Sequence, residues 1–314
     1  MSGEVVPVLG SGPWSPLRIA VYRSMWIAAL VSNVGTFMHI VAAGWAMTSL
    51  TDSPTLVGLV QTSWAVPGFA LALHAGAFAD MVERRRLIAL TQVLALAIAA
   101  ALGVLEMTGN LGVTTLLAGT FFESVALTIA APAFMALTPQ LVGTQYLSQA
   151  FGLDSVSRNI AQSVGPALAG AVIAFTNPGA VFVLNAVSFV GILFVVRKLP
   201  TFSAQVESAS KINHVIRDGI KHVVRTAQLR NIALRLALVL GATASLNSVM
   251  PVVAKKSLNV GSSGFGVLAG ALGVGSVLAV WLLPILRTKL HAELLAVLAS
   301  FVWAAAVVGF AQST

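Results

Sequence analysis

Long apolar runs separated by short polar turns dominate the pattern of this 314-residue chain. A helix needs about 20 predominantly apolar residues to cross a bilayer, whereas a barrel strand is about half as long and alternates in polarity. The runs here are long and do not alternate, which predicts nine membrane-spanning helices. Their approximate bounds are 24–48, 55–79, 87–107, 112–137, 150–175, 179–196, 232–254, 264–286 and 290–311.

The basic residues indicate the orientation of these helices in the membrane. Fifteen of the 18 Lys and Arg residues fall at one set of helix ends, which includes the loop over 197–231. The opposite loops hold only Lys255 and Lys256. Because Lys and Arg are enriched in cytoplasmic loops, the N-terminus is predicted to be cytoplasmic. The odd number of spans then places the C-terminus outside.

The segment over 211–226, between the sixth and seventh runs, has its own periodicity. Apolar residues recur there at helical spacing with basic residues between them. This pattern predicts an amphipathic helix on the cytoplasmic membrane surface, with its basic face toward anionic headgroups. Peptide binding is the alternative. The predicted organisation is a six-helix bundle over 1–198, a linker over 199–230 and three further helices over 231–314.

Composition agrees with a membrane protein and narrows the possible chemistry. Hydrophobic residues make up 57% of the chain and charged residues 9%, against roughly 25% charged in soluble proteins. The absence of cysteine excludes disulfides and thiolate chemistry. The net charge of +8 resides mainly in loops between apolar runs, which argues against a nucleic-acid partner. We find no nucleotide-binding loop and no catalytic or metal-ligating cluster, so no enzyme activity, cofactor or metal is expected.

The stretch GAFADMVERRR resembles the signature between helices 2 and 3 of the major facilitator superfamily, although Glu83 stands where that family usually has Gly. Further stretches, such as AAPAFMALTPQLV and SRNIAQSVGPALAGAVIA, are similar to the branch of enterobactin exporters and macrolide efflux proteins. The resemblance implies an all-α fold of two six-helix halves that rock against each other around the substrate path. Only three helices of the second half are present, so the chain is expected to be truncated after nine of twelve helices.

The resemblance also implies roles for two motifs. The signature would form a cytoplasmic gate, in which the acidic residue meets the start of an eleventh helix; its residues are Gly76, Asp80, Arg84, Arg85 and Arg86. The stretch VGPALAG is similar to an antiporter motif of helix 5, on Gly165, Pro166 and Gly170. Helix 8 offers a matching small-residue surface at Gly266 and Gly270. Ordinary tight packing explains these glycines equally well.

Ionisable residues inside the predicted spans are the candidates for proton coupling, because a charge in mid-bilayer costs at least about 2.5–3.5 kcal/mol. Glu123 lies about halfway along helix 4, where a low dielectric favours the neutral form of a carboxyl group. His39 lies in helix 1. Asp154 and Arg158 are one turn apart on helix 5 and are predicted to pair. Candidate cavity residues are Asn33, Gln61, Trp64 and Phe121.

These features together predict a secondary active transporter of the inner or plasma membrane. The expected activity is proton-coupled export of a bulky amphipathic small molecule, either a drug or a siderophore. The expected partners are therefore this substrate, protons and the lipid bilayer. The alternative is a truncated membrane fragment of such a transporter that does not itself transport.

Overall fold

Nine long helices form the described part of the protein. The computed structural model describes residues 12–199, 225–258, 260–288 and 290–312. In these ranges the helices are α1 (Ala20–Leu50), α2 (Pro54–Met81), α3 (Arg84–Met107), α4 (Val113–Val142), α5 (Leu147–Phe175), α6 (Pro178–Arg197), α7 (Ala227–Val252), α8 (Ser262–Arg287) and α9 (Ala292–Gln312). The described ranges contain no strand, so the all-α prediction is confirmed, and each helix overlaps one predicted apolar run. The amphipathic helix predicted over 211–226 lies, except for its last two residues, outside the described residues.

Several helices are suited to a bilayer. By length and composition alone, four helices within the described residues can cross a membrane, namely α1, α3, α4 and α6. Their outer surfaces present large apolar side chains, such as Phe194, which is 61% exposed in the isolated chain. Helix α5 is not one of these four helices, because it carries polar residues, among them Asp154, Arg158 and Gln162.

Helix α1 occupies the centre of the first six helices. It packs along α5 and α6 and also contacts α2 and α4, while α3 packs against α4 and α6. The centre of this bundle contains small residues with no exposed surface, including Ala42, Ala43 and Ala46 of α1 and Ala169 of α5. Small side chains allow helices in lipid to approach closely and gain van der Waals contact. Helix α8 joins this bundle through contacts with α5, and α7 through contacts with α2, whereas α9 packs against α8.

Individual residues fix where some helices begin and end. Helix α4 stops at Val142, and Gly143 follows with φ of 77°, a left-handed conformation that glycine adopts without steric cost. Helix α6 begins after Asn177, whose side-chain oxygen accepts a hydrogen bond from the Ala180 amide at 3.0 Å.

Candidate functional site

Three polar side chains from three helices meet in the interior of the bundle. His39 of α1, Glu123 of α4 and Asn185 of α6 each have no exposed surface. We refer to these three residues as the buried polar cluster. Sequence reasoning predicted Glu123 and His39 as separate candidates, and the structure brings them together.

The amide of Asn185 links the cluster. Its Nδ2 donates a hydrogen bond to Glu123 Oε1 at 2.8 Å and lies 3.4 Å from His39 Nδ1. His39 Nδ1 is 3.3 Å from Glu123 Oε2, close enough for an ion pair but without the geometry of a hydrogen bond. Neither Glu123 Oε2 nor His39 Nε2 has a hydrogen-bond partner among the described residues. The cluster therefore retains hydrogen-bonding capacity that its described neighbours do not use.

Aromatic rings pack against the cluster, and the Ser188 hydroxyl lies beside Asn185. The His39 ring lies 4.7 Å from the Phe182 ring and 6.5 Å from the Trp64 ring, measured between centroids. A side chain at Gly35 would place its Cβ atom 2.7 Å from Asn185 Oδ1, so the glycine leaves the amide its space. An uncompensated charge is costly in such a site, whereas a carboxyl and an imidazole that share one proton are neutral together. The arrangement is thus suited to hold one proton between Glu123 and His39.

One large cavity lies among α1, α2, α5, α7 and α8. It has a volume of about 350 Å³, and we call it the Gln61 cavity. Its walls include Gln61, Trp64 and Gln162, together with Pro166 and Pro251, which interrupt the hydrogen bonding of α5 and α7. Gln61 and Trp64 thus line a cavity, as their selection as candidates predicted.

A second cavity, which also has Trp64 in its wall, lies mainly among α1, α4 and α5. It has a volume of about 300 Å³, and we call it the Arg158 cavity. Asn33, Asp154 and Arg158 line it, and Trp64 contributes to its wall as well. Trp64 therefore belongs to the walls of both cavities and also lies near His39. Phe121 is not among the residues that line either cavity, and it packs edge-on against Phe122.

The predicted ion pair between the Asp154 and Arg158 side chains is not formed in the described structure. Within the described residues these two side chains form no ion pair, although their charges attract through space. The single hydroxyl proton of Tyr22 is instead shared between the Ala150 carbonyl, at 3.1 Å, and the Asp154 carboxylate, at 3.4 Å. The spacing of one turn favours a pair on an isolated helix, but a hydroxyl from α1 competes for the acid here.

The glycine motif of α5 contacts two different helices. A Cβ atom on Gly170 would lie 2.0 Å from the Cα atom of Gly266 on α8, so the two backbones touch at this point. A Cβ atom on Gly165 would instead meet Phe37 and the Val34 carbonyl of α1, at 2.7 and 3.1 Å. The motif thus fixes the spacing of α5 to both helices, and its role in a gate stays a prediction.

Two arginines of the predicted gate bind backbone carbonyls on neighbouring helices. Arg85 donates to the carbonyls of Arg197 and Leu199, at 2.9 and 2.7 Å, and thereby caps the C-terminal end of α6. Arg84 donates to the Ala136 carbonyl of α4 at 3.3 Å. The side chain of Asp80 lies outside the described part of the structure, and its contact with an eleventh helix stays a prediction.

Sequence reasoning missed Asn185, Tyr22 and Trp26, which the structure places at the cluster or in the Arg158 cavity. Asn185 had a detectable signal, because it is a lone amide within the otherwise apolar run of the sixth span. A search restricted to ionisable groups passes over such a residue. Tyr22 and Trp26 carry no comparable signal, since aromatic residues near helix ends are common at membrane interfaces.

Comparisons with known proteins extend over most of the chain. Residues 11–314 match the family model described as transmembrane secretion effector. The chain is 24% identical over 287 residues to the staphyloferrin A transporter of Staphylococcus aureus (strain NCTC 8325 / PS 47), covering 88% of this chain and 70% of that protein. It is 26% identical over 262 residues to the uncharacterised MFS-type transporter y4rN of Sinorhizobium fredii (strain NBRC 101917 / NGR234), covering 82% and 65%.

The fold has a counterpart among solved structures. A bacterial homolog of the human lysosomal transporter Spinster, in an inward-facing and unoccupied conformation, superposes with a TM-score of 0.66 at 12% identity. The match covers 90% of this chain and 65% of that one. The chain thus spans about two thirds of the length of these relatives. The family match and the shared fold confirm the resemblance found in the sequence: this multi-pass membrane protein belongs to the transmembrane secretion effector family of major facilitator transporters.

Proposed function

We propose that the chain is a proton-coupled exporter of a bulky amphipathic small molecule, with Glu123 as the group that gains and loses the proton. The observation that carries the proposal is the buried polar cluster, in which Glu123 and His39 lie 3.3 Å apart without exposed surface. Ionisable residues kept inside a membrane bundle usually serve proton or substrate movement, because they are costly there. Family membership supports transport, and the family description as a secretion effector supports export.

The neutral state of the cluster explains how it would couple to a conformational change. While the cluster is sealed, one proton shared by Glu123 and His39 leaves no net charge. Removing that proton leaves a buried negative charge, which becomes tolerable only when water reaches the site. Release therefore accompanies opening, and the Asn185 amide holds the carboxylate in place through its 2.8 Å hydrogen bond.

Trp64 is suited to control the access of water to the cluster. It lines both cavities, and its ring lies 6.5 Å from that of His39. With the N-terminus cytoplasmic, as the basic residues predict, the Arg158 cavity lies in the cytoplasmic half and the Gln61 cavity in the outer half. Displacement of Trp64 toward one cavity would then expose the cluster from the other side. This gives alternate access to a single proton site.

A reconstituted system tests the assignment. The purified chain is incorporated into liposomes, and a macrolide and staphyloferrin A serve as the two substrate probes. We expect one probe to move against its gradient when a pH gradient is imposed and to dissipate that gradient as it moves. The relative named as a staphyloferrin A transporter favours the siderophore as the transported probe. Movement of neither probe would favour the alternative of a fragment that does not transport.

The decisive variant is Glu123→Gln. The glutamine keeps the shape of the side chain and can still accept the hydrogen bond from Asn185, but it cannot release a proton. We expect pH-driven transport to be lost while binding of the transported probe is retained. Glu106→Gln is the matched control, because Glu106 lies in the last turn of α3, away from the cluster. Transport by Glu123→Gln with an unchanged dependence on the pH gradient would refute the assignment.

A further inference from the structure

The Arg158 cavity combines one basic group with polar and aromatic walls. Besides Arg158, the titratable residues that line it are Asp154 and Tyr22, which are hydrogen-bonded to each other. The indole nitrogen of Trp26 is also occupied, because it donates to the Leu153 carbonyl at 2.9 Å. The rest of the wall is largely apolar, with residues such as Phe134 and Met135. The cavity thus has room for an apolar body beside a single free cationic group.

The guanidinium of Arg158 is that free group. It forms no hydrogen bond or ion pair with any residue that the structure describes, Asp154 included. Asp154 attracts Arg158 through space without contacting it in an ion pair. Arg158 is exposed toward this cavity, so its five N–H donors are accessible to a bound molecule. An anionic ligand group would supply the missing acceptors.

We propose that the Arg158 cavity binds the carboxylate group of an amphipathic organic anion through the Arg158 guanidinium. The planar fork of arginine matches the two oxygens of a carboxylate, which accept parallel hydrogen bonds that a neutral group cannot replace. The apolar wall then covers the hydrophobic part of the same molecule. This inference rests on the proposed transport function, since it specifies the class of substrate that the cavity takes.

Equilibrium binding tests the inference without transport. The full chain is placed in lipid nanodiscs and titrated calorimetrically with naphthoate and with naphthamide, its uncharged analogue of similar shape. We expect naphthoate to bind about ten-fold or more tightly than naphthamide, because a charge-assisted hydrogen bond contributes that much affinity. Arg158→Gln should abolish this preference. Arg158→Lys should retain part of it, since lysine keeps the charge but loses the fork.

The controls separate this inference from the proposed function. Arg287→Gln makes the same substitution at an exposed position in the last turn of α8 and should leave the preference for naphthoate unchanged. The binding titration uses no pH gradient, so its outcome does not depend on the outcome of the Glu123→Gln transport test. The transport test likewise does not depend on whether the cavity prefers naphthoate. Size-exclusion profiles confirm that each variant is folded. Lack of naphthoate binding to the wild type, equal binding of the two probes, or a preference that survives Arg158→Gln would each overturn the inference.

Discussion

Replacing Gly170 by alanine tests whether α5 and α8 touch through their backbones. The added Cβ atom would lie 2.0 Å from Gly266 Cα and 3.1 Å from the Gly266 carbonyl carbon and nitrogen. All three are backbone atoms, so no side-chain rotation on α8 relieves the contact. The two helices must instead move apart along their shared surface.

The size of the effect follows from these distances. Non-bonded carbon atoms are most stable at about 3.5–4.0 Å, so the helices must separate locally by roughly 1.5–2 Å. Such overpacking costs about 1–3 kcal/mol, and losing contact along the rest of the interface places this case toward the upper end. Alanine regains about 1 kcal/mol over glycine through helix propensity. We expect a net loss of about 2 kcal/mol in the free energy of unfolding.

Unfolding of the purified chain in detergent measures this loss. Gly170→Ala and Gly266→Ala should both unfold at lower temperature than the wild type. Gly275→Ala is the matched control on α8, because a Cβ atom there meets nothing within 4 Å. It should be as stable as the wild type or slightly more stable. If Gly170→Ala and Gly275→Ala unfolded at the same temperature, the close contact between the two helices would be disproved.

Three further predictions concern other surfaces. Arg85→Ala should lower the free energy of unfolding by about 1–3 kcal/mol, because two charge-assisted hydrogen bonds at the end of α6 are lost. Arg86→Ala, at an exposed position in the same turn, should have little effect in the same unfolding assay. Asp52→Asn should leave the unfolding temperature unchanged, because the Asp52–Lys256 ion pair is largely exposed and exposed pairs contribute little to stability. A clear fall in the unfolding temperature would show that this pair is buried in the bilayer. We predict that α2 faces the cleft at Gly68, which is exposed in the isolated chain, so a cysteine there should react readily with a polar maleimide in a chain that has no other cysteine. Protection there would show that lipid or a partner covers α2.

The helices could be predicted closely because one physical constraint determines them. A membrane span must bury about 20 residues in lipid with every backbone group paired, and this requirement leaves a long apolar run in the sequence. The run over 179–196, for example, became α6 over Pro178–Arg197. The contacts between helices leave no comparable pattern in the sequence. The sequence offered a small-residue surface on helix 8 as the match for the glycine motif, but it did not indicate that Gly165 faces α1 while Gly170, five residues later, faces α8.

The site was predicted as individual residues but not as a set of contacts. Glu123 and His39 stood out because each interrupts an apolar run, and that argument needs no knowledge of neighbours. Their contact depends on how α1, α4 and α6 pack. The same limit explains the error at Asp154, where the sequence offered Arg158 one turn away but could not show that Tyr22 approaches from another helix.

Helix α1 connects the two charged features on which the proposals rest. It carries His39 in the buried polar cluster, Asn33 in the wall of the Arg158 cavity and Gly44 in the wall of the Gln61 cavity. A proton gained or lost at Glu123 changes the charge that faces His39 and so the force on α1. Because α1 also packs along α5, which bears Arg158, a shift of α1 alters the walls of both cavities at once. Coupling between proton and substrate would then need no direct contact between Glu123 and the bound molecule, which agrees with the absence of Glu123 from the walls of both cavities.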